Sequence, residues 1–150
     1  MFSLTHAKLD IEALRASVAR PDCGACVSFE GWVRNHNEGR SVLRLEYEAY
    51  PALALKEGSR ILSMAQELFR VEAVRCVHRL GALEIGEAAV WVGAASPHRR
   101  EAFEACSYVI EEVKRTVPVW KREHYAEGEM EWVGCAGCSA SHEDSWNLSK

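Results

Sequence analysis

Residues 96–121 read SPHRREAFEACSYVIEEVKRTVPVWK, and this stretch decides how the rest of the chain must pack. After the Ser96-Pro97 turn, apolar residues recur at helical spacing: Ala102, Phe103, Cys106, Val109, Ile110 and Val113. This spacing predicts an amphipathic helix with one buried face. Pro118 cannot continue a helix, so the helix must end before it, and Val119 to Glu123 should be extended.

Cations flank this predicted helix on both sides. They are His98, Arg99 and Arg100 before it, Lys114 and Arg115 at its end, and Lys121 beyond it. Basic side chains are favourable at a helix C-terminus, but at the N-terminus they need an anion or a neighbouring acid to offset the positive end of the macrodipole. From composition alone, an anion pocket and a solvated charged face are equally good interpretations.

The overall charge argues against several classes of partner. The 150 residues include 18 Lys and Arg against 22 Asp and Glu, a formal net charge of −4. Such a chain has no general attraction for nucleic acid or for an anionic membrane, and we expect neither as a partner. We see neither a transmembrane segment nor a signal peptide, and we therefore expect a cytoplasmic protein.

The length predicts one domain, placed at residues 1–134, followed by a mobile cysteine-containing tail at 135–150. Strands are predicted at 2–9 (an edge strand), 26–34, 41–50, 71–80, 88–95 and 131–133, the 88–95 strand buried on both faces. The strands 26–34 and 41–50 should form an antiparallel hairpin, and 81–87 should be a loop.

Two further helices are predicted before the central one. Asp10 should cap a short helix at 11–20, and Pro51 should open a long helix at 52–69. The apolar side of the long helix is assigned to Leu55, Ile61, Leu62, Ala65 and Leu68. Two long helices against mostly antiparallel strands predict an α+β sandwich.

Six cysteines include two CxxC pairs, Cys23 with Cys26 and Cys135 with Cys138. Two such pairs can supply four thiolates to zinc, but their separation far exceeds that of a compact zinc ribbon, so a site would need tertiary contact. Cys26 falls in an apolar strand and is expected to act as a small buried hydrophobe, as Cys76 and Cys106 are. Unpaired cytosolic thiols are the alternative to a zinc or redox role.

Three segments together resemble one family, the large catalytic subunit of molybdopterin synthase. They are FEGWVRNHNEGRSVLRLEYEAYP at 29–51, VHRLGALEIGEAAVWVGAASPHRREAFEAC at 77–106 and VKRTVPVWKRE at 113–123. The segments recur in the family's order and spacing, and the resemblance extends over roughly residues 25–133. It implies a hammerhead-like α/β sandwich, in which a mostly antiparallel sheet packs with two long helices.

The resemblance implies an enzyme that converts cyclic pyranopterin monophosphate into molybdopterin by installing the two sulfurs of a dithiolene. The sulfur would arrive as a thiocarboxylate on the C-terminal Gly-Gly of a small ubiquitin-like sulfur-carrier subunit, whose tail enters a pocket on this chain. The resemblance also implies a heterotetramer built on a homodimer of large subunits, with neither a metal nor an organic cofactor.

The resemblance also implies which residues form the pocket. Lys114 and Lys121 would be catalytic, and the substrate-binding residues would be Trp32, Val33, Arg34, His98, Arg99, Lys121, Arg122 and Glu123. The planar fork of arginine suits a phosphate, so Arg34 and Arg99 are expected to anchor the anion. His98 can hydrogen-bond the phosphate or exchange a proton near neutral pH.

The two lysines have the chemistry for sulfur transfer, because an ammonium group can polarise the thiocarboxylate carbonyl and move protons. Pro118 interrupts the helix, so the chain must turn to bring Lys121 back towards Lys114. Trp32 and Trp120 are expected to shape the pocket rather than to react, and His36 and His78 are expected to be structural.

Two alternatives to the enzyme remain. One is a zinc-stabilised binding module built on the CxxC pairs. The other is a non-catalytic relative that keeps the fold and the partner surface. Joint retention of the five cationic pocket residues favours the enzyme over this decayed relative; these residues are Arg34, His98, Arg99, Lys114 and Lys121.

Overall fold

The computed structural model describes residues 1–134, which form nine strands and three helices. The strands are β1 (Phe2–Thr5), β2 (Ala25–Trp32), β3 (His36–Asn37), β4 (Arg40–Ala49), β5 (Ala73–Arg79), β6 (Gly81–Glu84), β7 (Ala88–Ser96), β8 (Val119–Tyr125) and β9 (Met130–Gly134). The helices are α1 (Ile11–Ala16), α2 (Pro51–Phe69) and α3 (Arg99–Thr116). The expected tail at 135–150 lies outside the described residues.

The described strands form two sheets, which confirms the α+β class. The first sheet has the order β1-β5-β7-β2, and the second has the order β3-β4-β8-β9, with β6 also paired to β4. All strand pairs between described residues are antiparallel except β1 with β5. None of the helices in residues 1–134 combines the length and the apolarity that a membrane span requires.

Helix α3 lies across β2 and β7 of the first sheet and beside α2. Its buried stripe consists of Ala102, Ala105, Cys106, Val109, Ile110 and Val113. Full burial of each larger apolar side chain is worth about 1.5–3 kcal/mol, so this stripe fixes the helix on the sheet. Phe103 was predicted on the same face, but it is 60% exposed because it lies about 100° around the helix from Ala102.

The predicted hairpin of 26–34 with 41–50 is wrong. β2 pairs with β7 in the first sheet, whereas β4 pairs with β8 and β6 in the second. Val27 and Phe29 of β2 pack on the core under α3 and α2, whereas Val42 and Leu45 of β4 belong to a second cluster. The other end of β4, at Tyr47 and Ala49, packs against the first core, so β4 joins the two. Among the strands of residues 1–134, the two-residue strand β3 is the one that forms a hairpin with β4.

Several smaller expectations also fail locally. Residues 81–84 form strand β6 rather than a loop, since their backbone pairs with β4. Helix α1 ends at Ala16, four residues earlier than predicted, although the Asp10 cap is confirmed by a 3.0 Å hydrogen bond from the Ala13 N–H. Cys26 is exposed rather than buried, whereas Cys76 and Cys106 are buried as expected.

Strand β7 is buried on both faces from Ala89 to Ser96, as predicted, because α3 covers one face and α1 packs near the other. Helix α2 differs in part from its prediction. Leu55 and Leu68 are 40% and 54% exposed, and the buried side of α2 consists of Ala54, Gly58, Ile61, Leu62 and Ala65.

Gly58 marks the closest approach between α2 and strand β1. A Cβ at this position would lie 2.2 Å from Cγ of the buried Phe2 ring, a distance that neither group can accommodate without moving. Glycine costs about 1 kcal/mol relative to alanine inside a helix. Its presence here is therefore explained by packing rather than by helix preference.

We expect Gly58→Ala to lower the free energy of unfolding despite its better helix propensity, because overpacking a core typically costs about 1–3 kcal/mol. Urea denaturation of both proteins measures the difference. Ser59→Ala, at the exposed neighbouring position, is the control and should be neutral or slightly stabilising. A Gly58→Ala protein as stable as the Ser59→Ala control would contradict this packing argument.

Candidate functional site

A cavity of about 120 Å³ lies where the C-terminal end of α3 meets both sheets, and we call it the Lys114 pocket. Every long element of the fold except α2 contributes to its wall. The lining residues are Gly31, Trp32, Tyr47, His78, Ala89, Val90, Ile110, Val113, Lys114 and Val119. Most of this wall is apolar, so an ammonium group and a few polar atoms stand out within it.

Lys114 occupies the last turn of α3, where the negative end of the helix dipole favours a cation. Its Nζ lies 5.9 Å from the centroid of the Phe29 ring. Within residues 1–134 no carboxylate forms an ion pair with this ammonium. Lys114 is therefore available to an anion that enters the pocket.

Lys121 lies beside this pocket on strand β8. It is directly opposite Tyr47 of β4, and paired residues on neighbouring strands point to the same face of the sheet. Tyr47 lines the Lys114 pocket, so Lys121 neighbours a residue of the pocket wall. The turn at Val117-Pro118 makes this possible, because β8 begins at Val119, three residues after α3 ends.

Glu123 holds Lys121 in place. The Lys121 ammonium donates to Glu123 Oε1 at 2.5 Å, and the Tyr125 hydroxyl donates to Oε2 at 2.5 Å. The Asn37 amide also donates to Oε2, at 2.9 Å. Burial raises the pKa of Glu123, but the donated hydrogen bonds outweigh burial and lower the pKa below its usual value. A fully buried side chain thus carries a fixed negative charge.

Arg34 joins the same network at its exposed end. Its guanidinium donates to Asn37 Oδ1 at 3.1 Å, and Asn37 in turn contacts Glu123. The structure therefore connects three of the residues assigned from the sequence, Arg34, Lys121 and Glu123, through a residue that was not assigned. Because Arg34 is exposed, its guanidinium remains accessible to a ligand.

Val33 and Trp32, which were also assigned to substrate binding, are adjacent in sequence but differ in exposure. Val33 is 2% exposed and packs in the second core, and its N–H donates to Glu87 O while its carbonyl accepts from the Gly86 N–H. Trp32, by contrast, is 66% exposed at the edge of the Lys114 pocket. Its indole N–H donates to Glu30 at 2.9 Å, which leaves the ring surface open.

Arg122 points to the opposite face of β8 from Lys121 and Glu123, as strand alternation requires. There its guanidinium forms ion pairs with Glu46 at 3.1 Å and Glu48 at 3.6 Å. It also lies 4.4 Å from the centroid of the Trp132 ring. The structure thus places Arg122 away from the other residues of this group, and its substrate-binding role stays a prediction.

His98 and Arg99 lie at the other end of α3. His98 is the N-cap residue, held by a hydrogen bond from its N–H to Ser96 Oγ, and Arg99 is exposed. At 1.5 Å per residue, the helix separates Arg99 from Lys114 by about 22 Å. Residues of one chain therefore do not bring the two cation groups into one pocket.

Three residues of the site were not found by sequence reasoning: Asn37, Tyr47 and Tyr125. Asn37 lies in a turn-rich segment, and Tyr47 and Tyr125 are ordinary residues of amphipathic strands. Their importance depends on pairing across β4 and β8, which the sequence does not specify. His78 was noted and expected to be structural, and its burial agrees with that expectation.

His78 is buried at the back of the Lys114 pocket. Its Nδ1 lies 2.9 Å from the Arg79 carbonyl, which can only accept, so Nδ1 carries the proton of the neutral ring. The ring meets Tyr47 edge-on with the centroids 5.0 Å apart. Burial lowers the pKa of His78 to about 4, so the ring is neutral at physiological pH.

The cysteines show no metal arrangement in the part of the chain that the structure describes. Within residues 1–134, no group of three or more metal-ligating side chains is suitably placed. Burial raises the pKa of Cys106 to about 11, and the Cys23 pKa is also raised, so neither thiol is an activated nucleophile. Cys135 and Cys138 lie outside the described residues.

Comparisons with known proteins agree on one family. The family model described as MoaE protein matches residues 4–116. A "Molybdopterin synthase catalytic subunit" from Pyrococcus abyssi is 46% identical over 124 residues, or 83% of each chain. A "Molybdopterin synthase catalytic subunit 2" from Aedes aegypti is 40% identical over 97% of this chain and 92% of its own.

Solved structures give the same result for the fold. The crystal structure of molybdopterin synthase from Staphylococcus aureus has a TM-score of 0.83 and 34% sequence identity. The match covers 87% of this chain and 95% of that one. The similarity therefore includes both sheets and both long helices rather than an isolated motif.

The buried His78 should make the protein sensitive to acid. Its pKa is about 4 in the folded state against 6.5 in the unfolded chain, so the unfolded state binds the proton first. The contribution of the neutral His78 ring to the free energy of unfolding is fully present above pH 6.5. It is lost as the pH falls towards 4, by about 3 kcal/mol in total.

We expect His78→Asn, which keeps a donor for the Arg79 carbonyl, to lose part of this pH dependence. Urea denaturation at pH 7 and at pH 4.5 gives, for each protein, the change in the free energy of unfolding between the two pH values. His36→Asn, at an exposed position, is the control, and its free energy of unfolding should depend on pH as that of the wild type does. If the free energy of unfolding changes equally with pH in the wild type and in His78→Asn, His78 is not the titrating group.

Proposed function

The chain belongs to the MoaE protein family, and on this basis we propose that it is the catalytic subunit of a molybdopterin synthase. Its substrate would be cyclic pyranopterin monophosphate, and its sulfur donor a thiocarboxylate at the C-terminus of a small ubiquitin-like subunit. The observation that carries the proposal is the Lys114 pocket. Within residues 1–134 the Lys114 ammonium has no carboxylate partner, and Tyr47 in the pocket wall is paired with Lys121, which Glu123 holds.

The two lysines differ in a way that suits the reaction. Lys114 is free of acidic partners in residues 1–134, so it can pair with the anionic thiocarboxylate and polarise its carbonyl as sulfur leaves. Lys121 is paired with a buried carboxylate, so its position is fixed and its charge is already compensated. We assign Lys114 to the donor and Lys121 to proton transfer at the substrate.

The remaining assigned residues supply the phosphate site in this proposal. Arg34 lies at the open end of the Asn37–Glu123 network and can bind phosphate through two donors. Trp32 offers an exposed ring surface at the pocket edge, suited to the flat pterin. Glu123 acts by positioning Lys121, because its carboxylate is buried and fully hydrogen-bonded.

One chain does not supply a complete site. A cavity of about 120 Å³ is smaller than the roughly 300 Å³ or more typical of small-molecule pockets. His98 and Arg99 are also about 22 Å from Lys114 on the same helix. We therefore propose a homodimer in which the second copy contributes His98 and Arg99 to the Lys114 pocket, and the tail of the small subunit fills the rest.

The term "catalytic subunit" in the names of relatives itself implies a second kind of subunit. We accordingly propose a heterotetramer of two large and two small subunits. We also propose that residues 1–134 act as a single domain, and that the enzyme works in the cytosol.

The first test is sulfur transfer by the reconstituted enzyme. With a thiocarboxylated small subunit and cyclic pyranopterin monophosphate, we expect wild type to form the dithiolene product. Lys114→Ala and Lys121→Ala should each lower the rate about 10²–10³-fold, the usual effect of removing one transition-state donor. Lys56→Ala, at an exposed position on α2, is the matched control and should be fully active.

An inactive wild type that is folded and still binds the small subunit would identify a non-catalytic relative. Full activity of Lys114→Ala would show that the Lys114 pocket is not the reaction centre. Stoichiometric zinc, together with unfolding by a chelator, would instead support the binding-module alternative.

The second test is complementation between inactive subunits. Co-expressed Lys114→Ala and Arg99→Ala chains should recover about a quarter of wild-type activity, because half of the dimers are mixed and each mixed dimer has one intact site. Co-expressed Lys114→Ala and Lys121→Ala chains are the control, since both changes affect the same half of the site. Equal activity of the two mixtures would contradict a site shared between copies.

A further inference from the structure

His78 has one ring nitrogen that the folded chain does not use. Strand β5 directs Val74, Cys76 and His78 to the same face of the first sheet, towards the core under α2 and α3. His78 lies at the end of this row, lines the Lys114 pocket and is 6% exposed. Buried polar atoms in native proteins nearly always have a partner, so an unused one in a cavity wall calls for an explanation.

The two nitrogens of the ring differ in their surroundings. Nδ1 donates to the Arg79 carbonyl at 2.9 Å, whereas no hydrogen bond from residues 1–134 reaches Nε2. Nε2 is also not sealed from solvent, in contrast to the unpaired indole nitrogen of the buried Trp91. Because the rest of the His78 side chain is buried, the pocket that it lines provides this access. Nε2 therefore opens into the Lys114 pocket.

The tautomer of His78 makes Nε2 an acceptor. A neutral imidazole carries one proton, and the Arg79 carbonyl holds that proton on Nδ1. Burial lowers the pKa of His78 to about 4, so the ring carries no second proton at physiological pH. The ring thus offers a lone pair, and not a charge, to a group that enters the pocket.

Few other side chains in the pocket wall are polar. Trp32 and Lys114 carry only donors, and the Trp32 indole already donates to Glu30. Tyr47 meets the His78 ring edge-on, with the centroids 5.0 Å apart, and so limits the rotation of that ring. The remaining lining residues are glycine, alanine, valine and isoleucine. The wall therefore combines one cation with one acceptor of fixed position.

A cation and an acceptor together match the end of a peptide chain. The last residue of a chain carries an anionic group and, on the same residue, a backbone N–H. Inside an apolar wall this N–H loses its hydrogen bonds to water and needs an acceptor from the protein. A pterin also has N–H donors, but a cavity of about 120 Å³ is smaller than the roughly 300 Å³ or more of small-molecule pockets.

We propose that His78 Nε2 accepts a hydrogen bond from the N–H of the last glycine in the tail of the small subunit, while Lys114 pairs with the terminal group of that glycine. This inference rests on the proposed function and adds a residue that recognises the sulfur donor. Glycine suits the position, because without a side chain its backbone can approach the wall closely. The bond is the same before and after sulfur leaves, so it strengthens binding without accelerating the chemical step.

The direct test removes the donor from the tail. A semisynthetic small subunit carries an ester oxygen in place of its last amide N–H and keeps the ordinary carboxylate at its end. Wild type should bind this ester form about 10-fold more weakly than the natural tail, the effect of one net hydrogen bond. Isothermal titration calorimetry measures both affinities without turnover. Equal affinities would overturn the inference.

Variants of His78 complete a double-mutant cycle with the ester form. His78→Asn keeps a donor for the Arg79 carbonyl but is too short to place an acceptor at Nε2. It should bind the natural tail about 10-fold more weakly than wild type does, and the ester form no more weakly than the natural tail. His78→Gln reaches the position of Nε2 with an amide oxygen and should restore both the affinity and the sensitivity to the ester.

His36→Asn, at an exposed position outside the pocket, is the matched control and should bind both tails as wild type does. If the ester weakens binding equally in wild type and in His78→Asn, the donor and His78 act independently and the inference is overturned.

A spectroscopic measurement on wild type avoids any effect of the substitutions on folding. With isotope-labelled histidine nitrogens, the Nε2 resonance of His78 is assigned through the contact of its ring with Tyr47. This resonance should shift when the natural tail binds and should remain in place when the ester form binds. A resonance that the natural tail leaves unchanged would overturn the inference.

Steady-state kinetics separate recognition of the tail from proton transfer. In the sulfur-transfer assay, His78→Asn should raise KM for the thiocarboxylated small subunit about 10-fold and change kcat less than about 3-fold, as loss of uniform binding requires. A fall in kcat of about 10²–10⁴-fold at unchanged KM would assign His78 to proton transfer and overturn the inference.

The outcomes also separate this inference from the proposed function. If wild type binds the natural small subunit no better than one lacking its last two glycines, the inference is overturned even when the enzyme is active. If the ester weakens binding in wild type but not in His78→Asn, and no product forms, the inference stands and the function is rejected.

Discussion

The structure depends on the burial of one face of α3 across two strands of the first sheet. The buried stripe fixes the rotation of the helix, and rotation decides where every other side chain on it points. Lys114 is thereby directed to the pocket between the sheets, Tyr108 to α2, and Phe103 to the open side. The positions of the charged groups are thus a consequence of hydrophobic packing.

The second sheet adds a fixed charge to this arrangement. A buried carboxylate is costly unless donors surround it, and Glu123 receives hydrogen bonds from three side chains. Its donors come from β8 and from the β3 segment, so the carboxylate ties these parts together while it orients Lys121. The same residue therefore contributes to structural specificity and to the position of Lys121.

The sequence was informative where chemistry is local. Periodicity predicted both long helices, and the position of Pro118 predicted the break between Lys114 and Lys121. It was less informative where the answer depends on which strands pair. The β2–β4 hairpin was wrong because alternation identifies strands but not their partners, and β6 was missed because its strand character comes from pairing with β4. The positions of Asn37 and Tyr47 were missed for the same reason. All the catalytic and binding roles assigned from the sequence stay predictions, those of Arg122 and His98 included.

The short turn at Val117 and Pro118 has a consequence for how the protein comes to be active. Lys114 and Lys121 are separated by a single reversal of the chain, which is held by a hydrogen bond from the Tyr50 N–H to the Pro118 carbonyl. Contacts between residues so close in sequence form without a large entropic cost of loop closure. The lysine half of the site can thus be organised in a newly folded chain, whereas the proposed other half must await an encounter between subunits. Activity would then rise with subunit concentration more steeply than in proportion, which makes the amount of this chain in the cell a control on the reaction.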